Sequence, residues 1–334
     1  MLKALLKGAF FALLLVSQPL AARAEPLVLK LAHQWPQDEH DYVIAAGIKF
    51  AKEVEQRTNG EIKIQFYPAE SLVKARDLHV ALKTGTVDLA IYPYIYAAGA
   101  VPGLNLVLMP GIWKTHEDVY RFRTTPVWSA LEDQINAYGF KTLSWIQIAG
   151  GVASIGNPIR VPEDVKGLKV RASGKYMELA MSNIGASPVS MPSSEVYNAM
   201  QLGLLSGIWT SSSSFGAFRL YEVAKHYVSP QDYSLFFTIE PIAISMKTWR
   251  KLTPEQQKIL MDVGRSLEPE ALAGAKAEDV RIAEKFASSG VKVEKLTLDQ
   301  WTAWQAPFQQ AQERFRQDVP AAAKLLDQMI GEYR

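Results

Sequence analysis

The sequence of 334 residues contains no cysteine, and it lacks long apolar runs beyond its first 24 residues. The first absence excludes disulfide bonds and lipid attachment through a terminal cysteine, so an exported form must be held together by its own core. The second leaves no stretch near the roughly 18 apolar residues that a membrane span requires. Charges of both signs are interleaved without long blocks of one sign, so a nucleic-acid partner is not predicted.

Signatures of catalysis are also missing. The sequence has no HExxH, no P-loop, no GxGxxG after a strand and no nucleophile elbow, and its five histidines follow no metal-ligand spacing. We therefore predict no cofactor and no metal ion, and a binding protein fits better than an enzyme. An exported hydrolase stays open, because any fold can bring two carboxylates together.

The first 24 residues have the pattern of a secretory signal peptide. Lys3 and Lys7 precede an apolar run, and Ala22-Arg23-Ala24 supplies a small-x-small cleavage site. Cleavage would remove three of the 36 basic residues, against 34 acidic ones, and leave a nearly neutral mature chain. We expect a periplasmic protein without stable membrane insertion; an uncleaved anchor is the competing interpretation.

Hydrophobic periodicity predicts an α/β fold. Leu27–Ala32 suits a buried strand, and a helix capped by Asp38 or Asp41 follows it. Glu61–Phe66 alternates as a half-buried strand, and a helix over Leu72–Thr84 precedes the next strand. This order of strands and helices is typical of a doubly wound sheet.

The middle and end of the chain repeat the α/β pattern less clearly. We predict one helix over Glu117–Tyr138, strained at Pro126, and a strand over Lys141–Ile148, with Gly150-Gly151 as the crossing point between two lobes. A strand over Ser234–Met246 and a long helical stretch from Thr253 to Ser289 follow. A short strand and a mainly helical C-terminal segment complete the prediction.

Two segments have unusual side chains. Tyr92, Tyr94 and Tyr96 recur with period two and would form a wall if the segment were extended, although ordinary core packing explains them equally well. The segment 208–215, IWTSSSSF, offers a tryptophan surface and several hydroxyls for hydrogen bonding, or is simply a polar loop.

Arg171 is the strongest candidate for a ligand contact. The segment 162–174, PEDVKGLKVRASG, is a polar turn followed by a short apolar strand that ends on this arginine. Side chains at the carboxyl ends of strands face the ligand crevice of an open α/β sheet. A guanidinium matches a carboxylate, so Arg171 predicts an acid ligand; a surface arginine or structural ion pair is the alternative.

Five segments together resemble one family, the solute receptors of tripartite ATP-independent periplasmic (TRAP) transporters. The segments are KFAKEVEQRTNGEIKIQFYP (49–68), ALKTGTVDLAI (81–91), PEDVKGLKVRAS (162–173), GASPVSMPSSEVYNAMQLGLLSG (185–207) and YEVAKHYV (221–228). The resemblance covers essentially the whole mature chain. It implies a two-lobed periplasmic-binding-protein fold, with a mixed sheet flanked by helices in each lobe and with crossing strands and a long helix between them. It places one lobe at residues 25–149 and about 237–276, and the other at about 150–236 and 277–334.

The resemblance also implies site residues. Arg171 matches the carboxylate clamp of the family, and the other contacts of the family match Gln34, Trp35, Tyr92, Pro93, Trp209 and Thr210. Tyr94, Gln147 and Ser193 complete the predicted set of ligand contacts. The chain departs from the family pattern in three places. The turn after the SEVY helix lacks the usual asparagine, Ser193 replaces a frequent phenylalanine, and Gly151 stands where sialic-acid receptors have a second arginine.

These departures leave one fixed positive charge and a set of aromatic candidates that includes Trp145. We therefore predict a monocarboxylate ligand of aromatic, 2-oxo or 2-hydroxy character, delivered to the small and large membrane subunits of a TRAP permease. A receptor for C4-dicarboxylates, a receptor of an ATP-driven importer and a purely structural periplasmic protein are the alternatives.

Overall fold

The computed structural model describes residues 25–333, so the predicted signal peptide lies outside the described residues. Twelve strands are found within this range: Leu27–His33 (β1), Ile62–Tyr67 (β2), Leu89–Ile91 (β3), Phe140–Thr142 (β4), Gln147–Ser154 (β5), Lys169–Ala172 (β6), Ser187–Ser190 (β7), Gly207–Ser211 (β8), His226–Ser229 (β9), Phe236–Ile239 (β10), Ile242–Ser245 (β11) and Lys292–Lys295 (β12).

Thirteen α-helices lie in the same range: Tyr42–Arg57 (α1), Leu78–Thr84 (α2), His116–Phe122 (α3), Pro126–Tyr138 (α4), Lys175–Asn183 (α5), Val196–Gln201 (α6), Ser212–Ala217 (α7), Met246–Trp249 (α8), Pro254–Ser266 (α9), Glu268–Ser288 (α10), Leu298–Ala303 (α11), Gln305–Asp318 (α12) and Pro320–Tyr333 (α13). Short 3₁₀ helices cover Ala75–Asp77, Tyr94–Ala97, Pro102–Leu108, Pro162–Val165, Ser193–Glu195 and Leu220–Glu222. No helix among the described residues is long and apolar enough to cross a membrane.

Two mixed sheets form the centres of two lobes, which confirms the predicted fold class. One sheet has the order β2-β1-β3-β11-β4, and the other has the order β12-β9-β5-β8-β6-β7, with β10 pairing with β5. The strands of the first sheet come from 27–142 and 242–245, and those of the second from 147–239 and 292–295. This division of the strands is similar to the predicted lobe boundaries, which remain a proposal.

The chain crosses between the lobes twice, and the two crossings are hydrogen-bonded to each other. The first lies between β4 and β5, and the second lies at Glu240 and Pro241, between β10 and β11. The backbone N–H of Glu240 donates to the carbonyl of Ile146 at 2.9 Å, and that of Leu143 donates to the carbonyl of Ile242 at 2.8 Å. Gly150 and Gly151 lie inside β5, so the predicted crossing point was several residues too late.

Several predicted elements are confirmed and others need correction. The side chain of Asp41 caps α1 by accepting from two backbone N–H groups, and β2 alternates as predicted. Ser234–Met246 is two strands rather than one, because the chain changes sheets at the crossing. Pro126 begins α4 instead of straining one long helix, and a break at Leu267 separates α9 from α10. A proline is tolerated at the first helical position because its missing N–H would have no helical partner there.

Helix α10, 21 residues long, packs on elements of both lobes. It contacts α1 beside the first sheet, and it contacts α7 and β5 in the second. Its buried face includes Ala271, Ala275, Ile282 and Phe286. Burial of that face fixes α10 across the two lobes, next to the crossings.

Candidate functional site

Three parallel strands of the second sheet deliver polar groups to one edge. Strand β6 lies between β7 and β8 and is parallel to both. The carboxyl ends of all three therefore meet at the same edge, where an open α/β sheet presents its ligand crevice. Arg171 is in β6, Ser193 follows β7, and Thr210 is near the end of β8.

A cavity lies between this edge and the other lobe, and we call it the inner cavity. The space between its lining atoms amounts to about 280 Å³, solvent at its open side included. Its lining residues are Pro93, Ile95, Tyr96, Leu108, Arg171, Ser173, Ser193, Thr210, Ser211, Ser214, Phe236, Thr238 and Glu240. Hydroxyl groups supply most of the polar part of this wall.

The guanidinium of Arg171 is buried, with 1% of the residue exposed, and is held in a fixed plane. Its Nε donates to the carbonyl of Met191 at 3.0 Å, and its Nη1 donates to the carbonyl of Trp209 at 2.7 Å. Nη2 makes two longer bonds, to the Tyr96 hydroxyl at 3.4 Å and to Ser173 Oγ at 3.2 Å. The two carbonyl bonds orient the fork, whereas the longer hydroxyl bonds can be exchanged for stronger bonds to a carboxylate.

Glu240 is a second buried ionisable group on the inner cavity and was not among the predicted contacts. Only 2% of the residue is exposed, and its Oε2 has no hydrogen-bond partner among the described residues. Burial, followed by the nearby charge of Asp41, raises the pKa of Glu240 well above its ordinary value, while Arg171 acts in the opposite direction. Burial also lowers the pKa of Arg171, but a guanidinium keeps its proton in proteins.

Strand β10 and the crossing residue that follows it place three side chains on this cavity. Phe236, Thr238 and Glu240 are two residues apart and therefore share a face. Gly150 lies opposite Phe236 in the pairing of β5 with β10. A Cβ atom on Gly150 would lie 1.9 Å from the Phe236 ring, so the glycine allows that ring to lie against β5 and form part of the wall.

Hydrogen bonds between the lobes close the cleft around the cavity. The Tyr96 hydroxyl, from the first lobe, accepts from Arg171 and from the backbone N–H of Ser193 at 3.1 Å. Trp35 Nε1 donates to Ser214 Oγ at 3.2 Å, and Ser213 donates to the Asp41 carboxylate. These bonds tie the segments after β1 and β3 to α7, to β6 and to the 3₁₀ helix that precedes α6.

The structure brings part of the predicted set together. Arg171, Ser193 and Thr210 line the inner cavity, and Trp35 contacts the lining residue Ser214. Gln34, which precedes Trp35, is also buried. Neither its amide oxygen nor its amide nitrogen has a hydrogen-bond partner among residues 25–333. The roles of all of these residues in binding stay predictions.

Other predicted contacts lie outside the cavity wall. Because Gln147 pairs directly with Ile239, it lies on the face of the β5–β10 pair opposite Thr238. Trp209 contributes its carbonyl to Arg171, but its ring packs edge-on against Trp304 at 6.0 Å.

The predicted tyrosine wall does not form. Tyr94–Ala97 is a 3₁₀ helix, so the period-two geometry ends at Tyr92. Tyr92 and Tyr94 pack together with ring centroids 5.3 Å apart, and the Tyr94 hydroxyl bonds Thr142. Trp145 likewise packs on Trp128 in the same core. Tyr96 alone of the three tyrosines reaches Arg171.

Lining residues that the sequence prediction missed include several from the end of β8, from α7 and from β10 with the crossing after it. Ser211 and Ser214 were seen only as part of a serine-rich segment with two interpretations, and Thr238 carried no signal. Glu240 did carry one, because it is the only charged residue in the stretch 234–245. Among the described residues, no group of three or more His, Cys, Asp or Glu side chains is arranged to hold a metal ion.

Comparison with known proteins identifies relatives along nearly the whole chain. A family model described as DctP, bacterial extracellular solute-binding protein, family 7, matches residues 31–318. A solute-binding protein of Albidiferax ferrireducens is 39% identical over 295 residues, covering 85% of this chain and 87% of the relative. The C4-dicarboxylate-binding periplasmic protein DctP of Rhodobacter capsulatus is 28% identical over 289 residues, covering 85% of each chain.

A solved structure agrees with the fold described above. The crystal structure of a TRAP periplasmic solute-binding protein from Rhodoferax ferrireducens, with bound malonate, matches with a TM-score of 0.88 and 37% sequence identity. The match covers 91% of this chain and 98% of that chain.

Proposed function

The chain belongs to the DctP family of bacterial extracellular solute-binding proteins, the receptors of TRAP transporters, and on that premise we propose that its cleft binds a small monocarboxylate with a 2-oxo or 2-hydroxy group. Arg171 holds the carboxylate in this proposal. The hydroxyl groups of the inner cavity and Glu240 contact the oxo or hydroxy oxygen. The loaded receptor then delivers the acid, unchanged, to the membrane subunits of a TRAP permease.

The observation that carries this proposal is that one buried guanidinium and one buried carboxyl group line the same cavity. The single cation suits one ligand carboxylate. A second ligand carboxylate would find no further cation among the described residues on the walls of this cavity. A neutral Glu240, by contrast, can donate a hydrogen bond to an oxo or hydroxy oxygen.

The size and lining of the cavity favour a small polar acid over an aromatic one. The room left inside the inner cavity is only about 20 Å³, close to that of one water molecule. A small acid therefore needs less widening of the cavity than an aromatic one. The cavity walls carry several hydroxyls, whereas most rings predicted to form walls pack in the cores. Micromolar affinity corresponds to about 8 kcal/mol, so the Arg171 bond needs the contribution of cleft closure and burial.

Native mass spectrometry of the protein purified from its own host tests the ligand class, and calorimetry with defined acids quantifies it. We expect pyruvate, L-lactate or a close homologue to bind at micromolar concentration, and succinate, malate and malonate to bind at least tenfold more weakly. The bound acid should be recovered chemically unchanged. Turnover of the acid, or retention of an aromatic acid, would contradict the proposal.

A dicarboxylate ligand is the second candidate, because the Rhodoferax structure contains malonate and the Rhodobacter relative is named for C4-dicarboxylates. The variants Glu240→Ala and Glu240→Gln separate the two. If a neutral Glu240 donates to the oxo or hydroxy oxygen, Glu240→Ala weakens binding of the monocarboxylate about fivefold, whereas Glu240→Gln keeps a donor and largely preserves it. Binding of malonate or succinate as tight as that of pyruvate in the unaltered protein would favour the dicarboxylate. Glu255→Gln, which removes an exposed charge far from the cavity, is the matched control.

Delivery to a permease is tested by uptake. Deletion of the receptor gene should abolish uptake of the identified acid at micromolar concentration, and deletion of a TRAP permease should have the same effect. Uptake that persists without a TRAP permease but requires an ATP-driven importer would overturn this part of the proposal.

A further inference from the structure

A second, larger cavity lies next to the inner cavity, and we call it the vestibule. The space between its lining atoms is about 750 Å³, solvent at its open side included. It shares Ile95, Tyr96 and Ser173 with the inner cavity. Both Tyr96 and Ser173 accept hydrogen bonds from Arg171 Nη2, so these two side chains form the partition between the vestibule and the Arg171 guanidinium.

The charged residues on the vestibule wall are Arg76, Lys175 and Glu178. Lys175 forms an ion pair with Asp318 at 2.5 Å, and Asp318 is also paired with Arg314. Arg76 is exposed, and no carboxylate of the described residues lies within ion-pairing distance of it. Its Nη2 instead donates to Ser190 Oγ of the other lobe at 2.9 Å. The charge of Arg76 is therefore available to an anion that enters the vestibule.

Arg76 and Arg171 are within electrostatic reach of each other across the partition. After burial, which is the largest cause, the like charge of Arg76 contributes to lowering the pKa of Arg171, while Tyr96 and Glu178 act in the opposite direction. Two guanidinium groups on opposite sides of this partition repel each other. A carboxylate between them would be attracted to both and would relieve this repulsion.

We propose that the vestibule is a transient carboxylate-binding site in which Arg76 receives the ligand before it passes Tyr96 and reaches Arg171. This inference rests on the proposed function only in that the ligand is an anion. Arg76 acts in the encounter with the ligand, and Arg171 acts in the final complex. Glu178, on the same wall, opposes the approach of the anion.

The proposal predicts opposite effects of two charge changes on the association rate. With pyruvate as the probe and tryptophan fluorescence in a stopped-flow instrument, Arg76→Gln should slow association about fivefold at low ionic strength, and Glu178→Gln should accelerate it. Both effects should shrink to within about twofold near 0.5 M salt, because salt screens exposed charges. Dissociation rates should change little.

Two control variants separate steering from other roles of Arg76. Lys74→Gln removes a positive charge two residues away on a side chain that does not line the vestibule. Ser190→Ala removes the hydrogen bond between the lobes but keeps the Arg76 charge. Neither should alter the association rate. An unchanged rate in Arg76→Gln, an equal loss in Lys74→Gln, or an effect confined to dissociation would overturn the proposal.

A second measurement decides the question even if pyruvate is not a ligand. Anomalous diffraction from crystals soaked in bromide should show an anion within about 3.5 Å of the Arg76 guanidinium, with hydrogen-bond geometry. The peak should disappear in Arg76→Gln crystals while bromide sites elsewhere remain. Absence of a vestibule peak in the unaltered protein would overturn the inference, whereas failure of every small monocarboxylate to bind would overturn the proposed ligand class alone.

Discussion

Replacing Glu240 with glutamine should change how the stability of the protein depends on pH. Burial raises the pKa of Glu240 well above its ordinary value of 4.5. In the unfolded chain the same carboxyl loses its proton near that ordinary value. Between the two pKa values the folded protein binds one more proton than the unfolded chain, so the free energy of unfolding falls as pH rises.

The size of the effect follows from the linkage relation. One proton of difference corresponds to a slope of at most about 1.4 kcal/mol per pH unit. Between pH 5 and pH 7 the unaltered protein should therefore lose up to about 2.7 kcal/mol relative to Glu240→Gln, which cannot titrate at this position. For a chain of this length that corresponds to about 4 °C in melting temperature.

Thermal unfolding of both proteins at several pH values between 4 and 8 measures this difference. The melting temperature of Glu240→Gln relative to the unaltered protein should be constant at the acid end and should rise through the interval above pH 5. Asp41, whose pKa is also raised by burial, is present in both proteins, so its contribution largely cancels. Parallel curves throughout would refute the assignment of Glu240 as a buried neutral acid.

Two further substitutions test the walls of the inner cavity. Tyr96→Phe removes the hydroxyl that accepts from the Ser193 N–H of the other lobe and helps to close the cleft. It should weaken binding of the identified acid about fivefold, or roughly 1 kcal/mol, in calorimetry; an affinity equal to that of the control Tyr233→Phe would contradict this role. Gly150→Ala places a methyl group on the Phe236 ring, so it should lower the free energy of unfolding in chemical denaturation by about 1–3 kcal/mol and weaken binding. Gly156→Ala should be tolerated, because a Cβ there meets nothing within 4 Å. Equal stabilities of the two variants would contradict the packing argument.

The sequence predicted best those parts of the structure that are determined by residues close together in the chain. Strand β2 and helix α1 were predicted because alternation and an N-cap are properties of neighbouring residues. Arg171, Ser193 and Thr210 meet because parallel strands bring their carboxyl ends to one edge, which is a general rule of such sheets. These parts of the site could be placed without coordinates.

The remaining parts depend on how the two lobes meet. Tyr96 reaches Arg171 because a 3₁₀ helix replaces the extended segment that the period-two tyrosines indicated. Glu240 reaches the cavity because the chain changes sheets at Pro241, a break that looked like the interior of one strand. The distance of Glu240 from Arg171 in sequence gives no indication that both line one cavity.

The most direct test of the account is a crystal structure of the protein with the acid that it retains from its host. We predict one ligand carboxylate bound to both Nη1 and Nη2 of Arg171 and an oxo or hydroxy oxygen facing Glu240. The account is contradicted if the carboxylate binds elsewhere in the cleft while Arg171 keeps its bonds to Tyr96 and Ser173.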